Sequence, residues 1–136
     1  MARVTGIGGI FLRSRDPKAL AAWYAANLGV QLNDWGGAQF LWSDEVPPTT
    51  GSTAWSTFPA DTTYFGPGTP AGPQQVMINY RVDDLDALLT QLAAAGVPID
   101  PKRDEASFGK FAWITDPDGN RVELWQPLVE APETAP

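Results

Sequence analysis

Two apolar runs, each followed by an Asp and then by apolar residues at helical spacing, set the pattern of the chain. The first run spans residues 4–14, Val4 to Ser14, and reads as a strand carrying the glycine pair Gly8-Gly9. Asp16-Pro17 then gives a helix start, Asp as N-cap and Pro at the first helical position. Leu20, Trp23, Tyr24, Asn27 and Leu28 follow at a helical period, and Gly29 supplies the stop. Short strand-like pieces come next, Val30–Asn33, Gln39–Trp42 and Thr53–Phe58, with a polar Pro/Thr loop between Trp42 and Thr53. After a stretch rich in Pro, Gly and Thr the pattern restarts. Gln75–Val82 reads as a strand, and Asp84 caps a helix with Leu85, Leu88, Leu89 and Leu92 on one face and Gly96 as its stop. Val97–Ile99, Lys110–Thr115 and Asn120–Gln126 complete the set.

The restart is a repeat. A shift of 68 positions lays Ile10, Arg13, Asp16, Ala19 and Leu20 on Ile78, Arg81, Asp84, Ala87 and Leu88, Pro59 on Pro127, and Trp55 on Glu123. The expected organisation is an α+β single domain over 1–136: a βαβββ unit at 4–58, a linker at 59–74, a second unit at 75–127 and a flexible tail at 128–136. Neither half is large enough to be stable alone, so the units share a sheet or pair across a dimer. The last two strands are joined by Asp116-Pro117-Asp118-Gly119-Asn120, a tight turn with Pro early and Gly or Asn where φ is positive. Alternation on the return strand sends Arg121, Glu123 and Trp125 to one face and Val122 and Leu124 to the other.

Composition narrows the chemistry. Hydrophobic residues make up 43% of the chain, including six Trp, enough for a packed core. Nine basic against 16 acidic residues give a net charge of −7, which disfavours nucleic acid and favours neutral or cationic small molecules. The sequence has no Cys and no His, which removes thiolate chemistry, the commonest general base and the commonest metal ligand together. No signal peptide is visible and no apolar run is long enough to cross a bilayer, so no membrane partner is expected and the cytoplasm is the default location.

A doubled βαβββ unit closing on Asp-Pro-Asp-Gly-Asn-Arg-Val-Glu-Leu-Trp resembles the vicinal-oxygen-chelate superfamily of glyoxalase I, extradiol dioxygenases and bleomycin-resistance proteins. The resemblance covers about residues 5–127. It implies paired half-barrels around a cavity, a homodimer, and in metal-using members ligands on the first and last strands of each unit. The first-strand ligand sits seven residues before the capping Asp, which gives Gly9 and Met77; the last-strand positions are Trp55 and Glu123. Gly, Trp, Met and one Glu do not make a divalent site. The expectation is therefore no metal and no other cofactor.

With the ion gone, strand alternation nominates Phe11, Gln39, Trp55, Thr57, Met77, Asn79, Trp113 and Trp125 as ligand-binding positions, with Arg13, Leu41, Gln75 and Phe111 beside them. Trp55 and Met77 either touch a ligand or fill the void left by the metal, and Trp125 is wall, sheet filler or dimer contact. Arg13 and Arg81 read first as ordinary strand-end surface charges and only secondarily as functional groups. Trp23, Tyr24 and the leucines of the second helix are assigned to the core. Tyr64 and Phe65, after Asp61 on the linker, are placed to close over the mouth as a lid. Glu123 is the candidate catalytic residue, a general acid or base if burial shifts it, or a relic hydrogen-bonded to Asn79 or Gln75. The leading function is metal-free binding of a small aromatic or bulky apolar molecule, for which the acidic balance suits a cation, with antibiotic or toxin sequestration implied by the bleomycin-resistance branch. The alternative is a glyoxalase-like lyase or isomerase, or a dioxygenase-related enzyme, with Glu123 as base; a third is a structural dimer module.

Overall fold

A computed structural model describes residues 1–28, 30–44 and 51–127 of the chain. Strand β1 (Val4–Ser14) leads to helix α1 (Pro17–Leu28), then β2 (Ala38–Leu41), a 3-10 turn at Trp42–Asp44 and β3 (Ser52–Pro59). The second half runs β4 (Val76–Val82), α2 (Leu85–Ala94), β5 (Ile99–Ala106), β6 (Gly109–Thr115) and β7 (Arg121–Gln126). Asp16 and Asp84 cap their helices, accepting from the amides of Ala19 and Ala87, each at 3.0 Å. Gly96 ends α2 at φ +78. The Asp116 turn closes through Gly119 at φ +87, with both carboxylate oxygens of Asp116 held by Asn120.

All seven strands form one sheet in the order β2-β3-β1-β4-β7-β6-β5. The halves meet where β1 and β4 run antiparallel, and Ile10 lies opposite its own repeat mate Ile78. Around that pair Gly9 faces Asn79 and Phe11 faces Met77, so the repeat acts as a local two-fold. In each half the last strand lies parallel to the first, β3 beside β1 and β7 beside β4.

Helices cover one face. Leu85, Leu88 and Leu89 of α2 pack on Val82, Ala112 and Leu124, and Tyr24 of α1 meets Trp55 at 5.0 Å between ring centroids. The other face carries a smaller core of Phe11, Phe65, Met77 and Trp113.

Three expectations about elements need correction. Val30–Asn33 is not a strand: the Asn33 amide bonds the Gly37 carbonyl and the Gly36 amide bonds that of Asn33, a tight turn made by Asn, Asp and Gly. Among the described residues the first unit therefore has three strands and the second four. The segment read as Val97–Ile99 is the start of the longer β5, an edge strand whose charged sequence hides it; register with β6, such as Asp104 opposite Phe111, holds it in place. Trp23 is not core: it is 52% exposed, because α1 is apolar on nearly all sides and only one side meets the sheet. Gly29, most of the loop before β3 and the tail 128–136 lie outside the described residues.

Candidate functional site

On the face away from the helices lies a cavity of about 640 Å³, within the roughly 300–1,000 Å³ usual for small-molecule sites. Phe11, Gln39, Asn79, Phe111, Glu123 and Trp125 line it, all reachable by strand alternation from the sequence. The rest of the wall comes from Gly8, Trp35, Ala54, Ser56 and Phe58, together with Tyr64, Asp104 and Phe108. Trp125 and Phe111 stack in parallel, 6.0 Å apart with 5° between planes, and Phe58 and Tyr64 stack at 5.1 Å and 9°.

Glu123 is the chemical centre. It is 1% exposed and pairs across β4 and β7 with Asn79. Asn79 Nδ2 donates to its Oε1 at 2.6 Å, and Trp113 Nε1 donates to its Oε2 at 3.0 Å. The Tyr64 hydroxyl donates to Oε2 as well. Burial pushes the Glu123 carboxyl up from its ordinary value, and the bonds from Tyr64, Asn79 and Trp113 act against that shift. The Tyr64 phenol is pushed up too, first by burial and then by the charge of Glu123. Asn79 Oδ1 is buried without a hydrogen-bond partner, directly against Gly8: a Cβ on Gly8 would lie 2.0 Å from it.

Other nominated residues stand elsewhere. Trp55 and Thr57 point to the helix side, Trp55 onto Tyr24 and the Thr57 hydroxyl donating to the Pro17 carbonyl at 3.1 Å. The reason is a register difference of one residue. Asn79 lies beside Glu123, and its repeat mate Phe11 lies beside Ser56, so the last strands match at an offset of 67 rather than 68. A slip of one exchanges the two faces of a strand, and Ala54, Ser56 and Phe58 take the cavity side. Both alternations along β3 are equally apolar, so composition gave no signal to choose between them. Met77 and Trp113 sit sealed beneath the cavity, at 0% and 1% exposure. Gly8 rather than Gly9 lines the wall, because an irregularity in β1 falls between Ile7 and Gly9. Leu41 and Gln75 are exposed.

The linker is no lid. Phe65 is fully buried in the core with Phe11, Met77 and Trp113. Arg13 straps the segment, donating to the carbonyls of Gln74, Ala60 and Thr62. Arg121 holds the Tyr64 carbonyl at 2.9 Å and pairs with Asp100 at 2.8 Å. Tyr64 is thus a fixed wall.

The donor set does not fit a divalent metal. Gly9 has no side chain to offer, Trp55 faces the helices, and the Met77 thioether is packed in apolar surroundings. The remaining acid, Glu123, meets three N–H or O–H donors, which aim hydrogens where a cation would sit. No cluster of three or more His, Cys, Asp or Glu suited to a metal occurs among the described residues.

A family model for the glyoxalase/bleomycin resistance protein/dioxygenase superfamily matches residues 6–124, and the chain belongs to that superfamily. Among solved structures it resembles Mycobacterium tuberculosis methylmalonyl-CoA epimerase at 21% identity, covering 91% of this chain and 89% of that one with a TM-score of 0.59. A Streptomyces coelicolor methylmalonyl-CoA epimerase variant in complex with 2-nitronate-propionyl-CoA is 17% identical over 93% of this chain and 97% of that one, with a TM-score of 0.67. A superfamily member from Vibrio splendidus 12B01 is 18% identical over 93% and 99%, with a TM-score of 0.54. These likenesses concern the fold. Comparison with curated proteins gives no match. No helix among the described residues is long and apolar enough to cross a membrane.

Proposed function

We propose that the protein binds a flat aromatic or bulky apolar small molecule in this cavity without a divalent metal. The observation that carries the reading is the Glu123 carboxyl group, which accepts hydrogen bonds from Tyr64, Asn79 and Trp113 at the floor of the cavity rather than offering its oxygens to a cation. The site keeps an aromatic enclosure: Phe11, Phe58, Phe111 and Trp125 offer ring faces and edges, each stack adding about 0.5–1.5 kcal/mol beyond burial. Sequestration of an antibiotic or other toxic compound is the role such a site serves best. Titration of the protein, before and after exhaustive dialysis against a chelator, with a panel of aromatic compounds tests it. Saturable binding in both samples supports the reading, and binding restored only by added Zn, Ni, Fe or Mn removes it.

A second reading, proton transfer by Glu123 in an isomerase or lyase, is favoured by the upward push that burial gives its acid group beside an open cavity. Glu123→Gln separates the two. Turnover lost with binding retained selects catalysis; a parent protein that binds but turns over none of the panel selects sequestration. A second copy of the chain is the protein partner we expect, at the free edge of β2 where Phe40 and Leu41 are exposed, and sedimentation measures it.

A further inference from the structure

Beside the Trp125 end of the cavity lies a cation that no acidic side chain among the described residues neutralises. Arg81 follows Asn79 on the same face of β4 and lies opposite Trp125 on β7. Its guanidinium sits 5.0 Å over the Trp125 ring and 6.0 Å from the Trp42 ring. Trp125 and Gly8 line the cavity, and the Arg81 Cγ is 3.1 Å from where a Cβ on Gly8 would lie, so the side chain borders the wall at that end. The group is partly buried.

Its partners are too few for that burial. Nη1 donates to the Ser52 carbonyl at 3.2 Å, and Nε and Nη2 have no acceptor among the described residues. The other two partly buried arginines of the sheet differ: Arg13 spreads over three carbonyls, and Arg121 is ion-paired with Asp100. A guanidinium taken partly out of water is costly unless an anion or several acceptors meet it. Two indole rings within 5.0 and 6.0 Å make up part of that loss, and the unused N–H groups remain as binding surface. Elsewhere the ionisable residues of the lining are acidic, Asp104 at the wall from β5 and Glu123 at the floor, together with the Tyr64 phenol. An anionic group is therefore disfavoured along the rest of the cavity and favoured at this end.

We infer that Arg81, held between Trp42 and Trp125, is an anion subsite, and that the ligand is an aromatic carboxylate whose charged end docks there. This rests on the cavity reading proposed above, and it reverses the cationic preference suggested by the net charge. The aromatic body then lies along Phe111 and Phe11, with its carboxylate accepting from Nε and Nη2.

Three probes of one shape test it: naphthoate, naphthamide and naphthylmethylammonium, titrated by calorimetry and Trp fluorescence. Naphthoate is expected to bind about tenfold more tightly than naphthamide, the gain typical of a hydrogen bond to a charged group. Arg81→Gln should abolish that ratio while leaving the naphthamide affinity within about twofold, and Arg81→Lys should keep part of it. In the unaltered protein the ratio should also fall as salt rises, which tests the charge without any substitution. A naphthoate advantage that is absent, or that survives Arg81→Gln, overturns the subsite but leaves the cavity reading standing, as does tightest binding of the ammonium probe. Failure of all three probes to bind overturns both.

Discussion

Glu123 is buried on an apolar floor, and its proton affinity is where that burial becomes measurable. Burial raises its pKa above the ordinary value of 4.5, so folding favours the protonated form more than the unfolded chain does. The stability it contributes is fully present below that value and is lost as pH rises through the folded one. Denaturant titrations of the parent and Glu123→Gln proteins should therefore show a stability difference that moves against the parent as pH climbs from below 4.5. A difference that is flat with pH, or that moves in the parent's favour, contradicts the burial argument. Glu123 was legible in the sequence because a lone acid between Arg121 and Trp125 interrupts an otherwise sheet-like strand. Its partner Asn79 was legible by alternation. Tyr64 as a direct partner was not, since it comes from a Pro/Gly-rich segment whose path no periodicity specifies.

At the level of elements, β3 and the linker decide the site. Trp55 matches Glu123 under the repeat in sequence, yet one residue of register turns it to α1 and gives the cavity to Ser56. Trp55→Ala should lower stability by about 2–4 kcal/mol through lost packing on Tyr24 and leave the affinity of a cavity ligand unchanged. A large loss of affinity in a folded variant places Trp55 back in the site. The linker reads in sequence as a loose or closing loop, but Phe65 is fully buried and Arg13 ties its backbone at three points. Phe65→Ala is expected to cost about 3–5 kcal/mol in urea denaturation, as a core phenylalanine does. A cost below about 0.5 kcal/mol is what a surface loop gives, and it contradicts the wall role assigned to this segment. Charged β5 went unread for a different reason: an edge strand pairs by its backbone, and its side chains carry no apolar rhythm.

Across the whole molecule, the internal repeat explains why the two halves join into one sheet. Ile10 and Ile78 meet at the local two-fold, and each half brings its last strand beside its first. Caps, turn and repeat were strong enough to give the α+β architecture from sequence, whereas the contents of the cavity depended on single-residue register. Symmetry at the backbone is not kept in the side chains: Asn79 and Glu123 in one half correspond to Phe11 and Ser56 in the other. The buried carboxyl group of the cavity and its hydrogen-bond partner on β4 therefore belong to the second half alone. The most direct test of metal-free recognition is calorimetric titration of chelator-dialysed protein, shown metal-free by elemental analysis, with naphthamide and naphthoate. One-to-one binding with a dissociation constant on the order of micromolar, unchanged when Zn, Ni, Fe or Mn is added back, is the result expected. Binding that is absent from the dialysed protein and returns with a stoichiometric metal would contradict the account at its centre.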